Sequence, residues 1–360
     1  MQCVLPVVMR AVLLTGNGGV DRLVLREDVP LPVPGGGEVL IRIGAAGVNN
    51  TDINTRIGWY AKSVTAGTDA AAGRPPGGEA AGWTGVPPAF PRIQGADACG
   101  RIVAVGPGVD PTRIGERVLV EPVFRAPAGP SPAAPVYFGS EVDGAFAEFA
   151  KAPAVHAHRI DSPLSDAELA SFPCAYSAAA NMLARADVGA GETVLVTGAS
   201  GGVGSAAVQL AVRRGARVIA LASPAKAAEV AALGAARVLP RQADLPAVLG
   251  PESVDVVIDV VGGAGFAPLL QVLRRGGRYA VAGAIAGPLV ELDLRTLYLK
   301  DLRLLGCTVL GAGVFADLVG IIERGEIRPL VAACYPLAQI ALAQQALLDR
   351  QHTGKIVLTL

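Results

Sequence analysis

The sequence predicts an α/β protein of two domains, a twisted β-rich unit joined to a parallel sheet covered by helices on both faces. Three observations carry this expectation. At 360 residues the chain exceeds the size at which a single hydrophobic core usually stops growing. Up to about residue 155 it reads as short strands between glycine and proline breaks. From about Ser165 it alternates apolar strands with helices, the pattern of a parallel sheet.

Taken in order, "MRAVLLTG", "RLVLREDVPLPVP" and "GEVLIRIGAAGV" cluster or alternate aliphatic and β-branched residues, as strands do. "GRIVAVG", "GERVLVEPV" and "GAFAEFAKAP" repeat the style later. Between Ala61 and Pro91 lies an aperiodic stretch rich in alanine, glycine and proline, read as a surface loop or as a lid near an active site. "SDAELASFPCAYSAAANMLARA" opens on a capping serine or aspartate and keeps helical propensity for about five turns. "ETVLVTG", "VGSAAVQLAVRRG", "ARVIALAS", "PAKAAEVAALG", "VDVVIDVVG", "FAPLLQVLRRGG" and "RYAVAGA" then alternate strand and helix. The closing "TGKIVLTL" reads as a strand returning to the first domain.

Composition narrows the function. With 51% apolar and 17% charged residues the chain suits a well-buried enzyme and not a disordered segment. Its formal net charge is zero and no basic run stands out, so nucleic acid is not an expected partner. Five scattered cysteines without a C-x-x-C pair fit free thiols in a reducing, cytoplasmic setting. No signal peptide is read at the N-terminus. The uncharged windows Thr193 to Val212 and Pro329 to Leu348 are too rich in glycine, serine, glutamine or proline to suggest membrane spans.

The sharpest local signal is "VLVTGASGGVGSAAVQLA". A strand runs into Ala199, Gly201 and Gly204, with Ser200, Gly202 and Val203 between them, and a helix follows. Small residues let the backbone turn sharply and approach a pyrophosphate, which the helix N-terminus then faces with unpaired N–H groups. Enzymes selective for NAD carry an acid at the end of the next strand, where it binds ribose hydroxyls and repels a 2′-phosphate. Here that position holds Ser223, and Lys226 follows, so NADPH is the expected cofactor. Lys226 can also be read as an ordinary solvated helix lysine. Gly262, Gly263 and Gly283, after later strands, are read as letting the backbone lie close to the cofactor.

With "MRAVLLTG", "GVNNTDINTRIGWY", "GADACGRIVAVGPGV", "TGASGGVG" and "GKIVL" in hand, the chain resembles the medium-chain dehydrogenase/reductase superfamily and its zinc-free quinone oxidoreductase branch. The likeness spans nearly the whole sequence. It implies a GroES-like β-rich catalytic domain from residues 1–157 and 300–360, and a Rossmann doubly wound parallel-sheet domain from 158–299. It also implies an active site in the cleft between them, and a homodimer. Zinc-dependent relatives place ligands where this chain has Asn49, Ala96 with Asp97, and Cys174, and alanine cannot coordinate a metal. The closely spaced cysteines of the structural zinc lobe are missing. His156 and His158 are read as a linker pair in preference to metal ligands. No metal is expected.

Without zinc, another group must steady the oxygen that gains charge during reduction. The segment from Asn49 through Asp52 to Tyr60 matches the N-P-x-D-x-x-x-x-x-G-x-Y pattern of quinone and enoyl thioester reductases, with Asn50 replacing the proline. By that resemblance Tyr60 is a candidate proton donor or oxygen anchor, Asn49 a polar positioner and Asp52 a further catalytic candidate. Tyr60 also reads as a plain loop aromatic. Lys355 falls where the family places a lysine near the cofactor cleft, and Cys174 is expected to be buried at the start of the long helix. The expected activity is NADPH-dependent reduction of a quinone or α,β-unsaturated carbonyl. The alternatives are an NAD(P)-dependent alcohol dehydrogenase and a nucleotide-binding module whose chemistry has lapsed.

Overall fold

Strand-forming side chains alternate between core and solvent through the first part of the chain, and this sets its sheets. The computed structural model describes residues 4–72, 82–83, 86–125 and 135–360. β1 (Val8–Leu14), β2 (Leu23–Pro30) and β3 (Glu38–Val48) lead into α1 (Asn50–Ile57) and α2 (Thr68–Ala72). Then come β4 (Arg92–Ile93), β5 (Cys99–Val105), β6 (Arg117–Val120), β7 (Val123–Phe124), β8 (Val136–Tyr137), β9 (Phe149–Pro153) and β10 (Ala157–Arg159).

Two helices, α3 (Asp166–Leu169) and α4 (Pro173–Arg185), link this part to the strand–helix alternation. That alternation begins with β11 (Thr193–Val196), α5 (Gly202–Arg213), β12 (Arg217–Ala222), α6 (Ala227–Ala231) and β13 (Arg237–Pro240). It continues through α7 (Leu245–Leu249), β14 (Val254–Asp259), α8 (Phe266–Val272), β15 (Leu273–Val281), α9 (Leu294–Leu299) and β16 (Arg303–Gly306). The chain closes with α10 (Val314–Glu323), β17 (Val331–Pro336), α11 (Ile340–Asp349) and β18 (Lys355–Thr359).

β11 to β16 form a six-stranded, all-parallel sheet in the order β13-β12-β11-β14-β15-β16. The order reverses at β11, the switch point beside which open α/β sheets bind their ligands. The first part builds a seven-stranded sheet, β10-β6-β5-β3-β18-β17 with β9 also on β3, and a smaller sheet β2-β1-β4. β18 does return to the first domain, antiparallel to β3 with Ile356 opposite Val48. Just before it, Gly354 bridges Gly201 and donates its N–H to the Ser200 carbonyl at 2.9 Å. The last strand of the catalytic sheet is therefore fastened directly to the glycine turn.

Three expectations need correction. The five-turn helix is two helices, because Pro173 has no N–H to continue the first and instead starts the second. "FAPLLQVLRRGG" is helical only to Val272, after which Leu273 begins β15. The parallel sheet runs past residue 299, since β16 pairs with β15 and its Leu305 lies opposite Ala280. Of the Ala61–Pro91 stretch, residues 73–81 and 84–85 lie outside the described residues; Trp83 stacks on Tyr137 at 4.3 Å, against the catalytic domain.

Candidate active site and cofactor groove

At the carboxyl edge of the parallel sheet runs a groove of about 420 Å³, bordered by Ser200, Gly201 and Gly202 on one side and by Ser223, Lys226 and Arg241 at one end. Asn50, Asp69, Ile285 and the segment Leu347–His352 complete much of its wall. Its floor is the turn between β11 and α5. Gly198 holds a left-handed φ of 57°, and a Cβ on Gly204 would stand 2.2 Å from the Gly198 carbonyl oxygen. Only glycine lets helix and turn pack this closely. Ala199 is fully buried beneath the turn, and Val203 packs against the core from α5. A pyrophosphate would meet the N-terminal turn of α5, the place such groups take.

Ser223 directly follows β12, and Arg241 directly follows β13. The register pairs Ala222 with Pro240, so these two residues follow level positions on neighbouring parallel strands. Lys226 is not free as the sequence reading assumed, because its Nζ donates to the carbonyls of Arg350 (2.6 Å) and His352 (2.5 Å). Burial, followed by the like charge of Arg241, lowers its pKa below the usual lysine value. Arg241 is exposed and makes no ion pair among the described residues. Sequence reasoning missed Arg241 and Arg350, though an arginine just past the strand beside β12 was a legible signal. Gly262 and Gly283 do not border the groove. A Cβ on either would instead crowd backbone, Gly287 at 3.1 Å and Val260 at 3.0 Å, so both serve loop packing.

On the catalytic side the predicted residues converge on an inward-facing cluster. Lys355 is 3% exposed, Asp97 0% and Asn49 9%. The Lys355 Nζ donates to Asp97 Oδ2 (2.7 Å), Asn49 Oδ1 (2.5 Å) and Val48 O (3.1 Å). An ammonium has three donors, and all three are used here. Asn49 Nδ2 donates to Asp97 Oδ2 at 2.8 Å, while Asp97 Oδ1 accepts the backbone N–H of Cys174 at 2.5 Å and so holds the start of α4. A Cβ on Gly47 would lie 2.4 Å from Asp97 Oδ2, which explains the glycine there. The Lys355 stem runs under the glycine turn, where a Cβ on Gly202 would approach its Cδ to 2.9 Å.

Two assignments change as a result. Asn49 and Lys355 are not aimed at a ligand, because their polar atoms are engaged with each other and with Asp97; the groove is bordered by the next residue, Asn50. Asp52 is buried at the third position of α1, and its Oδ2 accepts the Asn49 N–H at 2.7 Å. It positions the turn rather than facing substrate. Desolvation, opposed by that hydrogen bond and by the Lys355 charge, pushes its pKa up to about 7.

Tyr60 donates to Thr51 Oγ1 at 3.0 Å, and its ring meets Trp59 edge-on with centroids 5.6 Å apart. Burial raises its pKa well above the ordinary phenol value; hydrogen bonds to Thr51 and Asn54 oppose that, and the neighbouring Cys174 and Asp52 add to it. Cys174 is only partly shielded from solvent, against the expectation of burial. Desolvation, reinforced by Asp97, nonetheless drives its thiol strongly upward, keeping it protonated. His156 Nδ1 lies 2.8 Å and His158 Nε2 3.3 Å from Glu121 Oε2, so an acid absent from the sequence reading ties the pair together. Burial disfavours the Glu121 carboxylate, but hydrogen bonds from both histidines outweigh it and hold the pKa at about 2.

A β-rich domain, a parallel nucleotide-binding sheet and a groove at its switch point are the architecture of a two-domain dehydrogenase or reductase, and similarity to known proteins gives the family. The Alcohol dehydrogenase GroES-like domain family matches residues 35–162, and the Zinc-binding dehydrogenase family matches residues 202–324. The chain belongs to the medium-chain dehydrogenase/reductase superfamily and is an oxidoreductase of that superfamily. It is 26% identical to quinone oxidoreductase of Homo sapiens over 366 residues, covering 98% of each chain. It is 30% identical to acryloyl-coenzyme A reductase of Metallosphaera sedula, covering 92% of this chain and 95% of that one. A crystal structure from Sinorhizobium meliloti 1021, provisionally described as an alcohol dehydrogenase, is 48% identical with a TM-score of 0.88, covering 99% of this chain and 97% of the other. Among the described residues no helix is long and apolar enough to cross a membrane.

Proposed function

We propose that the protein is a cytoplasmic, NADPH-dependent, zinc-independent reductase of quinones or α,β-unsaturated carbonyls. The observation that carries this reading is the Lys355 ammonium at the centre of the Asn49–Asp97 cluster. These positions do not suit zinc: Asn49 and Ala96 replace ligands, and Asp97 is paired with the chain's own cation. The groove does suit a dinucleotide, with a glycine cradle for pyrophosphate and Ser223, Arg241 and Arg350 gathered at one end for a 2′-phosphate. Four free cysteines among the described residues accord with a reducing compartment.

When bound, the nicotinamide supplies hydride to the electrophilic carbon of the substrate. The chain's part is to hold the oxygen and furnish a proton. Lys355, with no donor left, does neither; it fixes the end of β3 and the start of α4 relative to the glycine turn. Tyr60 keeps its proton at neutral pH and donates it to the Thr51 hydroxyl, a partner it can release, which suits a donor to the reduced substrate. Tyr60→Phe is expected to lower kcat with an enone roughly 10²-fold or more while NADPH affinity stays within two-fold. An unchanged kcat removes Tyr60 from the chemistry. Turnover only with NAD+ and an alcohol would favour the dehydrogenase reading that the Sinorhizobium relative's description suggests.

The chain is further proposed to form a homodimer through the open edge of β16. Leu294, Tyr298 and Leu299 of α9 and Leu304 of β16 are exposed there, and the outer edge of β16 has no partner strand among the described residues. Light scattering should give twice the chain mass, and Leu304→Asp should shift it toward one; a single-chain mass for the wild type contradicts this.

A further inference from the structure

Two acids border the groove, Asp69 and Asp349; Asp349 accepts from Gln345 Nε2 at 2.8 Å, and it is Asp69 that pairs with an arginine. Asp69, on α2, comes from the catalytic domain and accepts a hydrogen bond from Arg350 Nη2 at 2.6 Å, with side-chain exposures of 56% and 32%. Both residues border the groove. α2 reaches this position by docking on the nucleotide-binding domain: the Thr68 N–H donates to the Ile285 carbonyl at 3.0 Å, and a Cβ on Gly67 would stand 2.5 Å from that same oxygen. Arg350 follows the last residue of α11 with a left-handed φ of 52°, a conformation that favours glycine. That conformation lets its carbonyl accept from Lys226 while its guanidinium crosses to Asp69. A costly backbone conformation kept at a ligand groove is reason to look for a role.

Arg350 and Arg241 are the groove's two arginines, and the first is paired while the second makes no ion pair among the described residues. An exposed carboxylate–arginine pair is weak, and a phosphate carries more charge and accepts two parallel N–H bonds from a guanidinium. We propose that Asp69 is a built-in competitor for the phosphate end of the groove: it holds Arg350 in the free enzyme, and Arg350 exchanges it for the 2′-phosphate of NADPH. α2 is then untied from α11 when the cofactor is in place. The exchange reaches the catalytic side, because the neighbouring Thr68 hydroxyl donates to Asn54 Oδ1 at 3.0 Å, and Asn54 lies on α1, the helix that carries Thr51, the hydrogen-bond partner of Tyr60. This inference rests on the NADPH reading.

Fluorescence titration of the full-length protein with NADPH and with NADH tests it, using wild type, Asp69→Asn, Asp69→Glu, Arg350→Ala, Arg241→Ala and the Asp69→Asn/Arg350→Ala double variant. Asp69→Asn should tighten NADPH about three- to ten-fold, more at low salt, and leave NADH within two-fold. Asp69→Glu should resemble wild type, and the gain should vanish when Arg350 is absent. The proposal is overturned if Asp69→Asn leaves NADPH affinity unchanged, tightens both cofactors alike, weakens NADH alone, or keeps its gain without Arg350. The NADPH reading has its own outcome. If wild type does not prefer NADPH and Arg241→Ala costs it nothing, that reading fails and the competitor with it. If Arg241→Ala weakens NADPH while Asp69→Asn gains nothing, only the competitor fails.

Discussion

Two clusters of positive charge flank the glycine turn, and they are built on opposite terms. Around Lys355 one ammonium is buried and all its donors have acceptors. Around Arg241 and Arg350 the cations stand open to the groove, one paired only with an exposed acid and the other with none among the described residues. A saturated buried cation holds architecture, because moving it would strand its partners away from water. An exposed cation with unused donors is available to an anion that arrives later. The sequence reading assigned Lys355 to the cofactor, and the structure distinguishes the two cases by counting acceptors.

Lys355→Met sharpens the contrast most. It leaves the Asp97 carboxylate buried without its cation, so a loss of about 3–5 kcal/mol in urea unfolding is expected, the range for breaking one side of a buried pair. A loss within 1 kcal/mol would mean that Lys355 is not the structural cation described above. The two arginines lie at the other extreme, where substitution should change cofactor affinity and hardly touch stability.

A smaller effect concerns Asp52, which packs against the same junction. Its pKa in the fold, about 7, lies above the ordinary 3.8. The sign follows from linkage: a raised pKa contributes stability that is present in full below about pH 3.8 and is lost as pH rises through about 7. Asp52→Asn keeps an acceptor for the Asn49 N–H and removes the titration. Compared across this range by urea midpoint, wild type should lose stability relative to the variant as pH rises. Parallel pH profiles would contradict the assignment.

Much of the fold was legible because its signals are local. Strand alternation, the glycine turn and the strand–helix repeats all lie within short windows, and β18 announced its return through "GKIVL". The junction and the groove end were not, because they are assembled from distant residues. Asn49 meets Lys355 across a sequence separation of 306, and Arg350 meets Asp69 across 281. Sequence placed Asn49, Asp52 and Tyr60 in one short window, α1 and its two flanks, but could not say which faced inward. Lys226 looked like a phosphate ligand because its chemistry fits; in the folded chain two distant backbone carbonyls already accept from it. Pro173 was visible throughout, and its power to start a helix was underweighted against the propensity around it.

At the domain junction this chain's own ammonium takes the place of a metal. The direct measurement is NADPH oxidation with a panel of quinones and enones before and after exhaustive chelation, with metal content determined on the same protein. Substoichiometric zinc and a rate that chelation leaves unchanged are expected. Stoichiometric zinc, with activity lost on chelation and restored by adding the metal back, would contradict it.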